Sequence, residues 1–268
     1  MKQNNYYQKG FFILLSFLVT SLAVKAQTYI QDGIEYTLVG EEYSVTGYNA
    51  SANTDLVIPA TTNDGKKVTS IGISAFDGWK ALQSVSLPVN IKSIGNYAFR
   101  GCTGLTEVQI PEGVTILDRW SFANCSNLKT IGLPSTLMTM NGNVFYNCIG
   151  LEKITLPINL ASIGNSVFSG CTGLKEITFM GDCPEVASGT FFSVGTVEEP
   201  TRIMVKESYL TNYMAKMSGN GSSYQWASGG VLTLMSEIDG IIYAYVAGTT
   251  AHFSVAGMGT VTALADGT

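Results

Sequence analysis

Leu105-Thr106-Glu107-Val108-Gln109-Ile110-Pro111 is followed by Val114 and Leu117, and then by Phe122, Asn124 and Cys125. The same order of residue types returns every 23 positions. Phe stands at Phe76, Phe99, Phe122, Phe145, Phe168 and Phe191. Pro88, Pro111, Pro134 and Pro157 keep the same step, as do Leu82, Leu105, Leu128, Leu151 and Leu174. A further column holds Ile71, Ile94, Leu117, Met140, Ile163 and Val186. Several independent columns with one period mark an array of stacked units.

The unit has a physical reading. Val108 and Ile110 alternate with Glu107 and Gln109, so a short strand has one apolar and one polar face. Pro111 ends it, because proline cannot donate to a strand ladder. Two residues after the first five of these Phe stand Gly78, Gly101, Asn124, Asn147 and Gly170. Gly and Asn most readily take positive φ, so this column is expected to close a short helical turn around Ala98-Phe99. Each coil then reads strand, extended segment, helical turn. One unit cannot bury its apolar side, whereas stacked units share a continuous core. With strands about 4.8 Å apart, six coils predict a rod roughly 30 Å long. The Phe column becomes a buried aromatic ladder.

The flanks differ in character. Lys2 and Lys9 precede an apolar stretch from Phe11 to Val24, and Val24-Lys25-Ala26 offers a cleavage site. Residues 1–26 therefore read as a secretory signal peptide, too short for a membrane span. Gln27 follows where a lipoprotein would carry Cys, and no later stretch is apolar enough to cross a bilayer. Residues 27–67 read as an N-terminal cap, with a turn at Asp32-Gly33 and a strand from Ile34 to Leu38. Leu56-Val57-Ile58-Pro59 resembles Val85-Ser86-Leu87-Pro88 at a step of 29, and the six extra residues fit the polar turn Thr62 to Lys67. The repeats occupy 68–200. Residues 201–235 form a C-terminal cap with a last strand at Ile203-Met204-Val205. A short helix starting at Ser208 follows, and Trp226 folds back over the core. Residues 236–268 are a β-rich tail or the start of an incomplete domain, with strands at 241–246 and 252–255.

The spacing L-x-x-[VI]-x-[LI]-P, followed by I-G-x-x-A-F-x-[GN]-C, resembles the BspA-like group of bacterial leucine-rich repeats. Ile94 to Cys102 and Ile163 to Cys171 carry it most plainly, and the likeness covers about residues 30–235. Departures are Trp79 in the Cys column, and Asp118 and Asn141 where Gly falls. The resemblance implies a repeat solenoid of leucine-rich-repeat type with 23-residue units, mostly β with short helical turns. It also implies a secreted or cell-surface factor, of the kind found in Bacteroides. Some such proteins adhere to host matrix proteins or to other bacteria. No catalytic motif comes with the group.

The residues exclude several functions. Without the signal, Lys+Arg falls from 15 to 12 against 20 Asp+Glu, a net charge of about −8. An acidic chain with no basic cluster argues against nucleic acid and anionic membrane surfaces. Five cysteines in an exported chain suggest disulfides, but Cys102, Cys125, Cys148 and Cys171 share one inward column. Cys183 joins the apolar column of Val68, Ile91, Val114, Leu137 and Leu160. Buried thiols acting as small hydrophobes fit better. Four cysteines in a line do not make a tetrahedral metal site, and His252 is the sole histidine, so no metal and no cofactor are expected. A Ser-His-Asp set would need His252. Glu41-Glu42 and Glu198-Glu199 read as solvated charges. Glu107 and Glu176 stand three repeats, about 14 Å, apart, too far for either glycosidase geometry.

The polar side of the strands is the candidate surface. It presents Ser84, Ser86, Glu107, Gln109, Thr130, Gly132, Lys153, Thr155, Glu176 and Thr178. It is read as lacking the Trp, Tyr and Arg that dominate binding hot spots, which predicts weak or multivalent binding. The expected partner is a protein or glycan, a host matrix protein among them, bound by a monomer. A structural spacer carrying a C-terminal domain is the alternative, and a polysaccharide-acting enzyme a remote one.

Overall fold

The computed structural model describes residues 28–49, 54–195, 201–206, 208–209 and 212–213, and the backbone of 232–238, 241–245 and 253–255. The signal segment, Glu198-Glu199, Trp226 and His252 lie outside the described residues.

The described chain is a succession of short strands and tight turns stacked coil on coil. Three cap strands come first: β1 (Thr28–Gln31), β2 (Ile34–Val39) and β3 (Glu42–Tyr48). Asp32 and Gly33 both have positive φ between β1 and β2, the geometry a two-residue hairpin prefers. Each coil then contributes two strands. The first coils hold β4 (Asp55–Val57), β5 (Val68–Ile71), β6 (Ser84–Ser86) and β7 (Ser93–Ile94). The middle coils hold β8 (Glu107–Gln109), β9 (Ile116–Leu117), β10 (Thr130–Gly132) and β11 (Thr139–Met140). The later ones hold β12 (Lys153–Leu156), β13 (Ser162–Ile163), β14 (Glu176–Phe179) and β15 (Glu185–Val186). Then follow β16 (Thr201–Lys206), β17 (Leu232–Ile238), β18 (Ile241–Tyr245) and β19 (Phe253–Val255).

The even-numbered strands from β4 to β10 form one parallel ladder, and the odd-numbered ones from β5 to β15 another that continues the cap sheet. The 23-residue step is visible in the register: Glu107 faces Thr130, and Lys153 faces Glu176. Between β10 and β12 the first ladder is interrupted, and β12 opens a third sheet, β12-β14-β16-β17-β18-β19.

The core is the predicted set of columns. Phe99, Phe122, Phe145 and Phe168 are fully buried. Their rings stack at centroid separations of 5.1 Å for Phe99–Phe122, 6.0 Å for Phe122–Phe145 and 5.8 Å for Phe145–Phe168. All five cysteines are buried and unbridged. Four of them point Sγ at the carbonyl of the Phe 26 residues earlier, as Cys125 does at Phe99 (3.1 Å). Burial pushes the thiols up, Cys102 and Cys171 to about 12, since the interior penalises a thiolate.

The predicted helical turn is not a helix. Ala98, Arg100 and Cys102 donate within the coil to Gly95, Tyr97 and Phe99, three residues back. Tyr97, Phe99 and Gly101 instead donate to Arg119, Ser121 and Ala123 of the next coil. A helix keeps every N–H inside its own segment, whereas stacking here takes every second one. Two residues per turn must then be left-handed. Gly78, Gly101, Asn124, Asn147 and Gly170 are, as the sequence predicts. A second column also is: Ser74, Tyr97, Trp120, Asn143, Ser166 and Gly189.

The ends also differ from expectation. Ile203-Met204-Val205 is a strand, but β17 pairs beyond it in parallel, so it is not the last. β18 and β19 add to the same sheet as an antiparallel hairpin, with Tyr243 opposite Val255. Residues 208, 209, 212 and 213 are helical. Tyr213, fully buried, packs its ring 5.1 Å from Phe179 and donates to the carbonyl of Asp182 at 3.2 Å. It thereby covers apolar side chains at this end. At the opposite end, Tyr29, Tyr36 and Tyr43 cluster, with Tyr29 stacked on Tyr43 at 5.6 Å.

Candidate functional site

Strand alternation builds the polar face. Val85, Val108, Ile131, Ile154 and Ile177 point inward and are buried. Their neighbours Ser84, Ser86, Glu107, Gln109, Thr130, Gly132, Lys153, Thr155, Glu176 and Thr178 lie on the opposite side, exposed or half-buried. The structure therefore brings all ten onto one surface.

It also extends that surface in both directions. Asp55 and Val57 of β4 stand in register with Ser84 and Ser86, and Ser84 Oγ donates to Asp55 at 2.5 Å. At the far end Arg202 of β16 lies opposite Glu176. This corrects the reading of a face without arginine. The step from Glu176 to Arg202 is 26 residues rather than 23, so the period does not reveal it. Glu176 is held between two cations, Arg202 at 3.0 Å and Lys153 at 3.7 Å. Such exposed pairs contribute at most about 1 kcal/mol each, and with two cations to one carboxylate they leave this end of the face net positive. Asp55 and Glu107 leave the other end acidic.

Apolar side chains line two open depressions on this side. One, about 690 Å3, lies at the interrupted ladder between β10 and β12 and includes Leu133, Pro157, Ile158 and Met180. The other, about 820 Å3, includes Val57, Leu87, Val89 and Pro111. Val89 is 84% and Ile158 52% exposed. These residues follow the strand prolines, where the sequence reading registered only a stop signal.

Gly132 has a local role at the break. A Cβ there would collide with the Gln109 side chain, whose amide instead folds over it and donates to the carbonyl of Ile110 at 3.2 Å.

A second group of side chains, on the turns, was not anticipated. Tyr97 and Trp120 stack at 6.3 Å, and Tyr146 stands 5.3 Å from Trp120. The Arg100 guanidinium lies 4.6 Å over the Tyr97 ring, and its Nε donates to Asp77 at 2.8 Å. That hydrogen bond holds the Arg100 pKa above its ordinary value. Tyr97 and Trp120 have φ of 60° and 61°, a conformation that costs an L-residue with a Cβ roughly 1–2 kcal/mol.

Among the described residues no group of three or more His, Cys, Asp or Glu is placed to hold a metal ion. No helix of the described residues is long and apolar enough to cross a membrane.

The model of the BspA type leucine rich repeat region matches residues 69–198 in six copies. The repeat region belongs to the BspA-type leucine-rich repeats. No curated protein matches the chain. Among solved structures, the leucine-rich repeat protein of T. pallidum is 22% identical, with TM-score 0.44, over 69% of this chain and 73% of that one. A leucine-rich cell surface protein of Faecalibacterium prausnitzii is 20% identical, with TM-score 0.41, over 69% and 72%. A leucine-rich repeat protein of Bacteroides capillosus is 23% identical, with TM-score 0.39, over 57% and 99%.

Proposed function

We propose that this chain is a secreted or cell-surface module that binds protein through the exposed face of its stacked strands, and that it acts in adhesion without catalysing a reaction. The observation that carries this is the shared outward face of the strands on both sides of the break between β10 and β12. Side chains of successive coils project from it at one spacing, which suits recognition of an extended partner. Its mixture of a cationic end, an acidic end and apolar depressions matches the make-up of a protein interface. The reading as a non-catalytic protein rests on the distribution of Glu107 and Glu176, which belong to strands three coils apart. A host matrix protein is the partner class the family likeness favours.

The alternative is a structural spacer. In its favour, Lys153, Glu176 and Arg202 satisfy one another.

The test is surface binding of the purified full chain to immobilised matrix proteins and to a glycan array. A binding module captures at least one of them, and the paired change K153E with E176K weakens capture at least tenfold. Capture that survives the exchange moves the contact off the strand face, and no capture favours the spacer.

A further inference from the structure

The turn edge carries side chains that core packing does not explain. Tyr97 and Trp120 occupy a left-handed column whose other members are Ser74, Asn143, Ser166 and Gly189. Gly and Asn tolerate that backbone, whereas a bulky side chain is an outlier. Burial does not repay it, because both rings are only half-buried. Strain held outside the core points to use.

The surroundings are as unusual. The chain has three arginines, and two of them, Arg100 and Arg119, flank this pair. Arg119 is exposed and forms no ion pair among the described residues. Tyr97 and Trp120 stack along the coil axis with planes 21° apart, so they turn faces to each other and edges outward. Ring edges are the positive part of the aromatic quadrupole. The Arg100 charge is already met by Asp77, so this acidic chain exposes here a ridge of ring edges beside the unpaired guanidinium of Arg119, about 10 Å long from the strand spacing.

We propose that Tyr97, Trp120 and Tyr146, with the unpaired Arg119 beside them, form a second docking surface, for an acidic extended segment of a partner protein. Trp, Tyr and Arg are the residues that dominate protein hot spots. The stack is already ordered, so binding costs little side-chain entropy. The free fork of Arg119 matches a carboxylate in geometry and charge, as Arg100 already shows with Asp77. A glycan fits less well, because a sugar ring lies on a free aromatic face, and here those of Tyr97 are taken by Trp120 and Arg100.

The probe is a fluorescently labelled 12-residue peptide of alternating Glu and Leu, titrated with the full chain and followed by anisotropy. A Lys-for-Glu version is the control, and polygalacturonate the competitor. The acidic peptide is expected to bind and the basic one not. Trp120→Asn and Arg119→Glu should each weaken binding at least tenfold while leaving the melting midpoint unchanged. The K153E/E176K pair should leave it unaltered, which separates this surface from the strand face. The proposal is overturned by equal binding of both peptides, by no binding of the acidic one, or by unchanged affinity in the ridge variants. Displacement by polygalacturonate at lower concentration than by unlabelled peptide would assign the ridge to anionic glycans. A fall in the Trp120→Asn midpoint as large as that of Phe122→Ala would make the stack structural. Either result also overturns it.

Discussion

Two stacks of aromatic rings run along this molecule, one inside and one outside. The inner stack, from Phe76 to Phe191, repeats one residue type in one column, and its inner members are fully buried. The outer stack, Tyr97, Trp120 and Tyr146, is confined to neighbouring coils and is half-exposed. Inside, each ring is stabilised by removal of apolar area from water and by contact with its neighbours. Outside, most of that gain is missing, and two of the rings sit on a left-handed backbone. Periodicity therefore reports what holds the coils together, and departures from it report what the coils are free to present.

The largest expected effect is on the interior thiol column. Burial raises the Cys102 and Cys171 pKa from 9.0 to about 12. A folded-state pKa above the unfolded one gives stability that is full below about pH 9 and is lost as pH rises toward 12. Each such thiol should weaken the folding constant by about tenfold per pH unit in that window. Denaturant titrations from pH 8 to 12 check this, and a flat profile would show that the column is not sealed. In parallel, iodoacetamide should label the native chain slowly and label five thiols after denaturation.

Phe122→Ala comes next, with an expected loss of about 3–5 kcal/mol by chemical denaturation. A midpoint that barely moves would break the distinction between the two stacks. Smaller again is Asn124→Ala, at roughly 1–2 kcal/mol, since Asn124 has φ 58° and alanine tolerates that region poorly. Asn124→Gly should be near neutral, and a loss equal to that of Ala would show that the Asn side chain, not its backbone, matters. The smallest is Glu176→Gln, below about 1 kcal/mol and diminished by salt. A larger, salt-independent change would place the Lys153–Glu176–Arg202 group among the structural contacts.

The inward columns were legible because every coil meets the same neighbours and so needs the same shape. The first left-handed column was legible for a related reason: only Gly and Asn occupy it through the five regular repeats. The second, with Ser74, Tyr97 and Trp120, carries no common residue type, so nothing in the sequence marked it. Alternation likewise placed the outward strand residues on one face. Arg202 escaped because a three-residue insertion breaks the count, and Val89 and Ile158 because a proline before them was read as an ending.

The solenoid, its period and the composition of its core can be read from the residue order, since these depend on which residue types recur and how far apart. That the turns are not helical emerges only in three dimensions, because it depends on whether an N–H finds its acceptor in its own coil or the next. The same holds for the interruption between β10 and β12, the reach of Arg202 to Glu176, and the meeting of Tyr97, Trp120 and Tyr146 with Arg100. Each depends on contacts between coils that are distant in sequence, and positions without a shared residue type leave no periodic trace of such contacts.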